Sequence, residues 1–111
     1  MKFTITFVDE EQFENFLNNI DRKMRAKILA HLENVEVNGI FFSVDHLQDE
    51  INEFRVRHGS NIARICWAYD RDRRQVIIIT HGFIKKSQKT PKYEIEKAKY
   101  LLYEYLRKRG N

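Results

Sequence analysis

A cluster of lysines directly follows a short apolar segment and has the clearest chemical meaning in this sequence. The apolar segment is Val76–Ile79, and Thr80 and His81 come next. The residues after them include four closely spaced lysines, Lys85, Lys86, Lys89 and Lys92. Ammonium groups concentrated where a buried strand reaches solvent attract polyanions. The phosphates of a nucleic acid are therefore the first candidate ligand.

Two arginines on neighbouring predicted strands are expected on the same side of a sheet. Side chains alternate along a strand, so Arg55 points away from Phe54 and Arg64 points away from Ile65. If the large apolar side chains face the helices, both guanidinium groups lie on the less covered face. Guanidinium is planar, always charged and matched to phosphate oxygens. The alternative is that Arg55 pairs with Glu53 or with another acid across the strands.

His81 lies at the end of the same strand as the lysine cluster. Because imidazole exchanges its proton near neutral pH, His81 is a candidate general acid or base. The alternative is a hydrogen-bonded structural role. The other three histidines are dispersed without ligand spacing, and Cys66 is the single cysteine. No metal site and no cofactor are expected from this set of residues.

The elements that must position these groups follow from hydrophobic periodicity and capping signals. We predict a strand over 2–8, helices capped by Asp9 and Asp21, strands near 51–58, 62–69 and 76–83, and a last helix over 91–108 with Thr90 as N-cap. Residues 40–50 are interpreted as a packed connection. The three consecutive strands form an antiparallel meander. The order β-α-α-β-β-β-α predicts an α+β fold.

Length and composition indicate one globular domain over residues 1–111. No apolar stretch reaches the length that spans a bilayer, and the N-terminal residues lack the apolar core of a signal peptide. A single cysteine excludes an intrachain disulfide. Together these features favour the cytoplasm.

The formal net charge of +4 is distributed unevenly along the chain. It is −6 over residues 1–54, +4 over residues 55–81 and +6 over residues 82–111. This distribution suggests one acidic and one basic face. The alternative is charge spread over the surface for solubility.

Four segments resemble RelE/HigB-like toxins of type II toxin–antitoxin systems, in their phage-derived branch. They are Ile51-Asn-Glu53-Phe-Arg55, Arg64-Ile-Cys-Trp67, His81-Gly-Phe-Ile-Lys-Lys-Ser-Gln-Lys-Thr-Pro91 and Glu94-Ile-Glu96-Lys-Ala98, in this order. The resemblance covers roughly residues 47–108. One departure is Thr80, where the family usually has an aliphatic residue.

This resemblance implies a RelE-like domain, with helices packed on one face of a mostly antiparallel sheet. It also implies a metal-independent endoribonuclease (an mRNA interferase) that cleaves mRNA, often on the translating ribosome. The ribose 2′-OH would attack the adjacent phosphate. Such chemistry needs cations for the phosphate charge, a base for the 2′-proton and an acid for the leaving 5′-oxygen.

The resemblance also implies roles for individual residues. Arg55 and Arg64 would clamp the phosphate, while Lys85 and Lys86 would stabilise charge or act as base. His81 is the competing acid or base, and further RNA contacts fall to Arg57, Lys89 and Lys92.

The implied partners are mRNA, the ribosome and a cognate helix-turn-helix antitoxin, with no membrane and no metal. Two alternatives stay open at this point. One is a non-catalytic RNA- or ribosome-binding module on the same scaffold. The other is a regulatory partner of a DNA-binding protein.

Overall fold

The computed structural model describes residues 2–40, 44–85 and 89–110, which form one five-stranded sheet and three helices. The elements are β1 (Thr4–Phe7), α1 (Glu10–Asn18), α2 (Arg22–Asn38), β2 (Val44–Gln48), β3 (Ile51–His58), β4 (Asn61–Tyr69), β5 (Val76–Lys85) and α3 (Lys92–Arg109). This confirms the predicted α+β class. Within the described ranges, no helix combines the length and the hydrophobicity needed to span a bilayer.

Side-chain caps fix where the first two helices begin. The Asp9 carboxylate accepts a hydrogen bond from the backbone N–H of Gln12 at 3.1 Å, which satisfies a donor that the helix leaves unpaired. Asp21 does the same for Lys23 and Met24. Both caps were predicted from the sequence and are confirmed.

The start of α3 differs from the prediction. Pro91 occupies the N-cap position, and no side chain caps the helix. Thr90 is not the cap, because its hydroxyl is turned towards the sheet and donates a hydrogen bond to Glu53 instead. The predicted boundary was therefore close, but the predicted role of Thr90 was wrong.

The strand order in the sheet is β1-β5-β4-β3-β2. The predicted antiparallel meander of β3, β4 and β5 is confirmed, and β1 adds to β5 in parallel. The predicted connection over residues 40–50 was wrong in part, because Val44–Gln48 forms a strand that pairs antiparallel with β3. The hairpin between them turns at Asp49, whose φ of 53° is compatible with the tight turn.

Helices cover both faces of the sheet, so the prediction that they pack on one face was wrong. Helices α1 and α2 pack on one face, against a cluster that includes Phe54, Ile65 and Trp67. Helix α3 packs on the other face, where Ala98 and Leu102 meet small and branched side chains of the central strands. The reason is that β4 and β5 are apolar on both sides, and both sides must be removed from water. We call the second surface the α3 face.

Candidate active site

A β-bulge in β5 decides which side chains reach the α3 face. Trp67 of β4 pairs with Ile79, but the next residue, Cys66, pairs with His81. Thr80 is therefore an extra residue in β5, and every residue after it changes sides relative to an unbroken alternation. As a result His81 shares a face with Cys66 and not with Trp67.

The register then brings the predicted cations together on this face. Arg55 pairs with Arg64 across β3 and β4, and Arg64 pairs with Phe83 of β5. One pair further along, Ile62 lies between Arg57 and Lys85. Since paired residues share a face, these side chains and His81 all lie on the α3 face. The register thus places Arg55 and Arg64 on a common face, as predicted.

A buried carboxylate lies at the centre of the arginine pair. Glu53 is 0% exposed, and so is Arg64. One carboxylate oxygen, Oε2, is 2.8 Å from Nε of Arg55 and 3.4 Å from Nη1 of Arg64. The other oxygen, Oε1, accepts the Thr90 hydroxyl at 2.6 Å. Buried charges are stable when they are paired and hydrogen-bonded in this way.

The two arginines differ in their access to solvent. The side chain of Arg55 is 23% exposed, and its Nε also lies 3.2 Å from a carboxylate oxygen of Asp45. The pairing of Arg55 with Glu53, which the sequence offered as an alternative, is therefore present in the structure. Arg64 is enclosed, and its Nη1 donates to the Thr90 hydroxyl at 2.9 Å. An anion reaches Arg55 more easily than Arg64, and a direct phosphate contact by Arg64 stays a prediction.

His81 and Glu94 form an acid–base pair beside this cluster. Nε2 of His81 is 3.0 Å from Oε1 of Glu94, and Nδ1 is 3.2 Å from the Thr80 hydroxyl. Burial lowers the pKa of His81 below its ordinary value, while the Glu94 carboxylate opposes this shift and Lys97 adds to it. Burial therefore favours the neutral imidazole, whose Nε2–H donates to Glu94, while the Thr80 hydroxyl donates to the Cys66 carbonyl at 3.3 Å and lies beside Nδ1.

A groove of about 430 Å³ opens beside this pair, between the edge of β5 and helix α1. His81 and Phe83 line it from the strand, and Lys97 lines it from α3. The rings of His81 and Phe83 stack at a centroid distance of 5.7 Å and an interplanar angle of 21°. The acid–base pair thus borders space that a ligand can enter.

The remaining predicted cations that the structure describes are more exposed than Arg64. Lys85 is half-buried, and Arg57, Lys89 and Lys92 are exposed. Lys86 lies outside the described residues. In the ranges 2–40, 44–85 and 89–110, no group of three or more His, Cys, Asp or Glu side chains is placed to hold a metal ion.

Sequence reasoning missed three polar residues that organise the site, Glu53, Thr90 and Glu94. Glu53 was considered only as a partner of Arg55, and Thr90 only as a helix cap. A signal was present for Glu53, because the alternation that places Arg55 on a face also places Glu53 there. No comparable signal links Glu94 to His81, since their contact depends on how α3 docks.

Comparison with known proteins identifies the family. Residues 15–102 match the family described as phage-derived protein Gp49-like (DUF891). The chain belongs to the Gp49-like family. This assignment confirms the resemblance to the phage-derived branch of RelE/HigB-like toxins.

A solved structure is similar to this Gp49-like chain in fold. A chain of the crystal structure of the archaeal RelE–RelB complex from Pyrococcus horikoshii OT3 is similar, with a TM-score of 0.57 and 16% sequence identity. The similarity covers 80% of this chain and 100% of the archaeal one, and it shows a RelE-like fold. A search of curated proteins found no match.

Proposed function

We propose that this Gp49-like protein is a single-domain cytoplasmic toxin of a type II toxin–antitoxin system and that it cleaves mRNA on the ribosome. The observation that carries the proposal is the His81–Glu94 pair beside a cluster of cations, in a chain with the RelE-like fold. Cleavage through the ribose 2′-OH needs proton transfer and charge stabilisation. Side chains of this face can supply both.

The proton-transfer role falls to His81 and Glu94. A neutral imidazole and a carboxylate 3.0 Å apart share one proton. The neutral imidazole can therefore accept the 2′-proton and become an imidazolium, which the Glu94 carboxylate stabilises. The imidazolium can then return a proton to the leaving 5′-oxygen. The Thr80 hydroxyl lies beside Nδ1 of the imidazole. Lys86 remains the alternative base that the family resemblance implies.

The accessible cations would stabilise the negative charge of the pentacoordinate phosphate. Arg55 is partly exposed and Lys85 half-buried, so both can reach a phosphate from the α3 face. Arg57, Lys89 and Lys92 would contact flanking phosphates of the RNA. Removing one preorganised charge contact typically lowers the rate about 10²–10³-fold. The loss of Lys85 should therefore be visible both in growth and in RNA cleavage.

The test is induced expression of the wild type, His81→Gln, Lys85→Met and the control Lys23→Met, which changes an exposed lysine of α2. We expect growth arrest and new 5′ ends in translated messages for the wild type and for Lys23→Met. His81→Gln and Lys85→Met should cleave a ribosome-bound message about 10²–10³-fold more slowly. The products should carry a cyclic phosphate and a 5′-OH.

Three results would contradict the proposal. Binding of RNA or ribosomes by the wild type without any cleavage would support the non-catalytic module. A lack of growth defect together with intact mRNA would support the regulatory partner. Products with a 5′-phosphate would refute attack by the 2′-OH.

We further propose a cognate antitoxin with a helix-turn-helix domain. The similar archaeal chain belongs to a RelE–RelB complex, and this supports an antitoxin partner here. If a small helix-turn-helix protein is encoded beside this gene, its co-expression should restore growth. A toxic chain that no neighbouring gene product neutralises would contradict this part of the proposal.

A further inference from the structure

Thr90 occupies an unusual place for a residue that precedes a helix. Its side chain is turned into the protein, and the residue is 5% exposed. The hydroxyl accepts a hydrogen bond from Nη1 of Arg64 at 2.9 Å and donates one to Oε1 of Glu53 at 2.6 Å. A hydroxyl can do both at once, whereas valine of nearly the same shape can do neither.

This double hydrogen bond connects two parts of the site. Arg64 and Glu53 belong to the central strands β4 and β3, and Thr90 belongs to the segment that leads into α3. The helix has no side-chain cap of its own. Thr90 therefore attaches the first turn of α3 to the sheet, and this contact takes the place of a side-chain cap.

Glu94 lies one turn beyond this anchor. Its backbone N–H donates to the carbonyl of Pro91 at 3.0 Å, and its carboxylate reaches His81. A shift of the helix start would change the distance between Glu94 and His81. We propose that Thr90 is a positioning residue, held by Glu53 and Arg64, that sets Glu94 against His81. Its catalytic meaning rests on the ribonuclease function proposed above.

In this arrangement Arg64 has a role that differs from a phosphate clamp. A side chain that is 0% exposed cannot touch a substrate without rearrangement, whereas it already contacts Thr90 and Glu53. Arg64 thus acts on the reaction through Thr90. In this arrangement the phosphate contacts come from the more accessible cations of the α3 face.

The titration of His81 reports the position of Glu94. The groups that face the imidazole are Glu94 and Lys97 from α3, Thr80 beside it and Cys66 from β4. Of these, Glu94 raises the pKa of His81, while burial and Lys97 lower it. If Glu94 moves away, the pKa of His81 must fall further.

The experiment follows the ring signals of His81 by NMR through a pH titration of the full chain. The variants are Thr90→Val, Thr90→Ser and Glu94→Gln, and the control is Thr4→Val, which changes an exposed threonine of β1. We expect Thr90→Val and Glu94→Gln to lower the midpoint of the His81 titration. Thr90→Ser, which keeps the hydroxyl, and Thr4→Val should leave it unchanged.

RNA cleavage provides the second measurement. Misplacement of a reacting group by about 1 Å can cost about 10²-fold in rate. We expect kcat of Thr90→Val to fall by about that factor with a nearly unchanged KM, and Thr90→Ser to recover most of the rate. A purely structural role would lower the amount of folded protein without moving the His81 midpoint.

A folded Thr90→Val variant with the wild-type His81 midpoint would overturn the inference. If this variant does not fold, Thr90→Ala removes the hydroxyl without the added methyl group, and a wild-type midpoint in that protein has the same consequence. Failure of the wild type to cleave RNA would contradict the proposed function alone. The NMR result would still show whether Thr90 positions Glu94.

Discussion

Neutralising the buried carboxylate of Glu53 should lower the free energy of unfolding of this protein more than most single substitutions. Replacement by glutamine keeps the shape and one acceptor oxygen for Thr90. It removes the negative charge that faces Arg55 and Arg64, and its NH₂ group can turn towards their guanidinium donors. Breaking a buried ion pair by neutralising one partner typically costs about 3–5 kcal/mol, because a charge is left buried and uncompensated.

The structure indicates the lower end of this range. Arg55 keeps Asp45, at 3.2 Å, as a second partner and is partly exposed. Arg64 is fully enclosed, so the penalty comes mainly from its charge. We therefore expect Glu53→Gln to lower the free energy of unfolding by about 3 kcal/mol. Domains of this kind are stable by about 5–15 kcal/mol in total, so the loss is a large fraction.

Urea unfolding followed by fluorescence of the buried Trp67 measures this loss. With an m-value of about 1–1.5 kcal/mol/M, the midpoint should fall by about 2–3 M. The control Glu33→Gln changes an exposed carboxylate of α2 and should stay within about 0.5 kcal/mol of the wild type. The double variant Glu53→Leu/Arg64→Met should recover most of the loss, since a well-packed apolar pair can replace a buried ion pair.

A loss below about 1 kcal/mol for Glu53→Gln, with an unchanged m-value, would refute this reasoning. It would mean that the Arg64 charge is compensated without Glu53. Additivity of the single variants Glu53→Leu and Arg64→Met would refute it independently, because residues that form one buried network are expected to couple.

Two further changes test the packing and the protonation of the site. Gly82→Ala would place a Cβ atom 2.7 Å from Cε2 of Phe16 and 3.0 Å from Cδ1 of Ile65. Urea unfolding should therefore show a loss of about 1–3 kcal/mol in the free energy of unfolding, which Phe16→Leu should partly offset. Equal stability of Gly82→Ala and the wild type would contradict this contact. Burial lowers the pKa of His81 below its ordinary 6.5, so the unfolded chain binds the proton first as the pH falls, and the unfolding free energy should decrease below pH 6.5 until the folded imidazole is also protonated. His81→Gln should flatten this decrease in urea titrations between about pH 8 and pH 5, whereas identical pH profiles would show that His81 is not buried in its neutral form.

Much of the fold and the shared face of the arginines could be predicted because they follow from local periodicity. Alternation places Arg55 and Arg64 opposite the large apolar residues whatever the rest of the chain does. Asp9 and Asp21 cap helices through contacts within four residues, so their role is visible in the sequence.

The position of α3 could have been inferred from the apolar run in β5. Val76–Ile79 is a continuous apolar run and does not alternate, and such a strand needs cover on both faces. An open face for the cations was therefore inconsistent with the strand itself. The short strand β2 was harder to predict, because residues 44–48 mix polar and apolar side chains and depend on pairing with β3.

The bulge at Thr80 is the feature that periodicity cannot supply, and the arrangement of the site depends on it. If side chains alternated along β5 from Ile77 without a bulge, His81 would lie with Ile79 on the face that packs against α1 and α2. One extra residue moves it to the face of Arg64, and Phe83 and Lys85 move with it. The family-like spacing His81-x-Phe83-x-Lys85 then has a physical meaning, because side chains two apart lie on one side of a strand. The structure thus explains how His81, Phe83 and Lys85, which the resemblance places in one segment, come to share the α3 face.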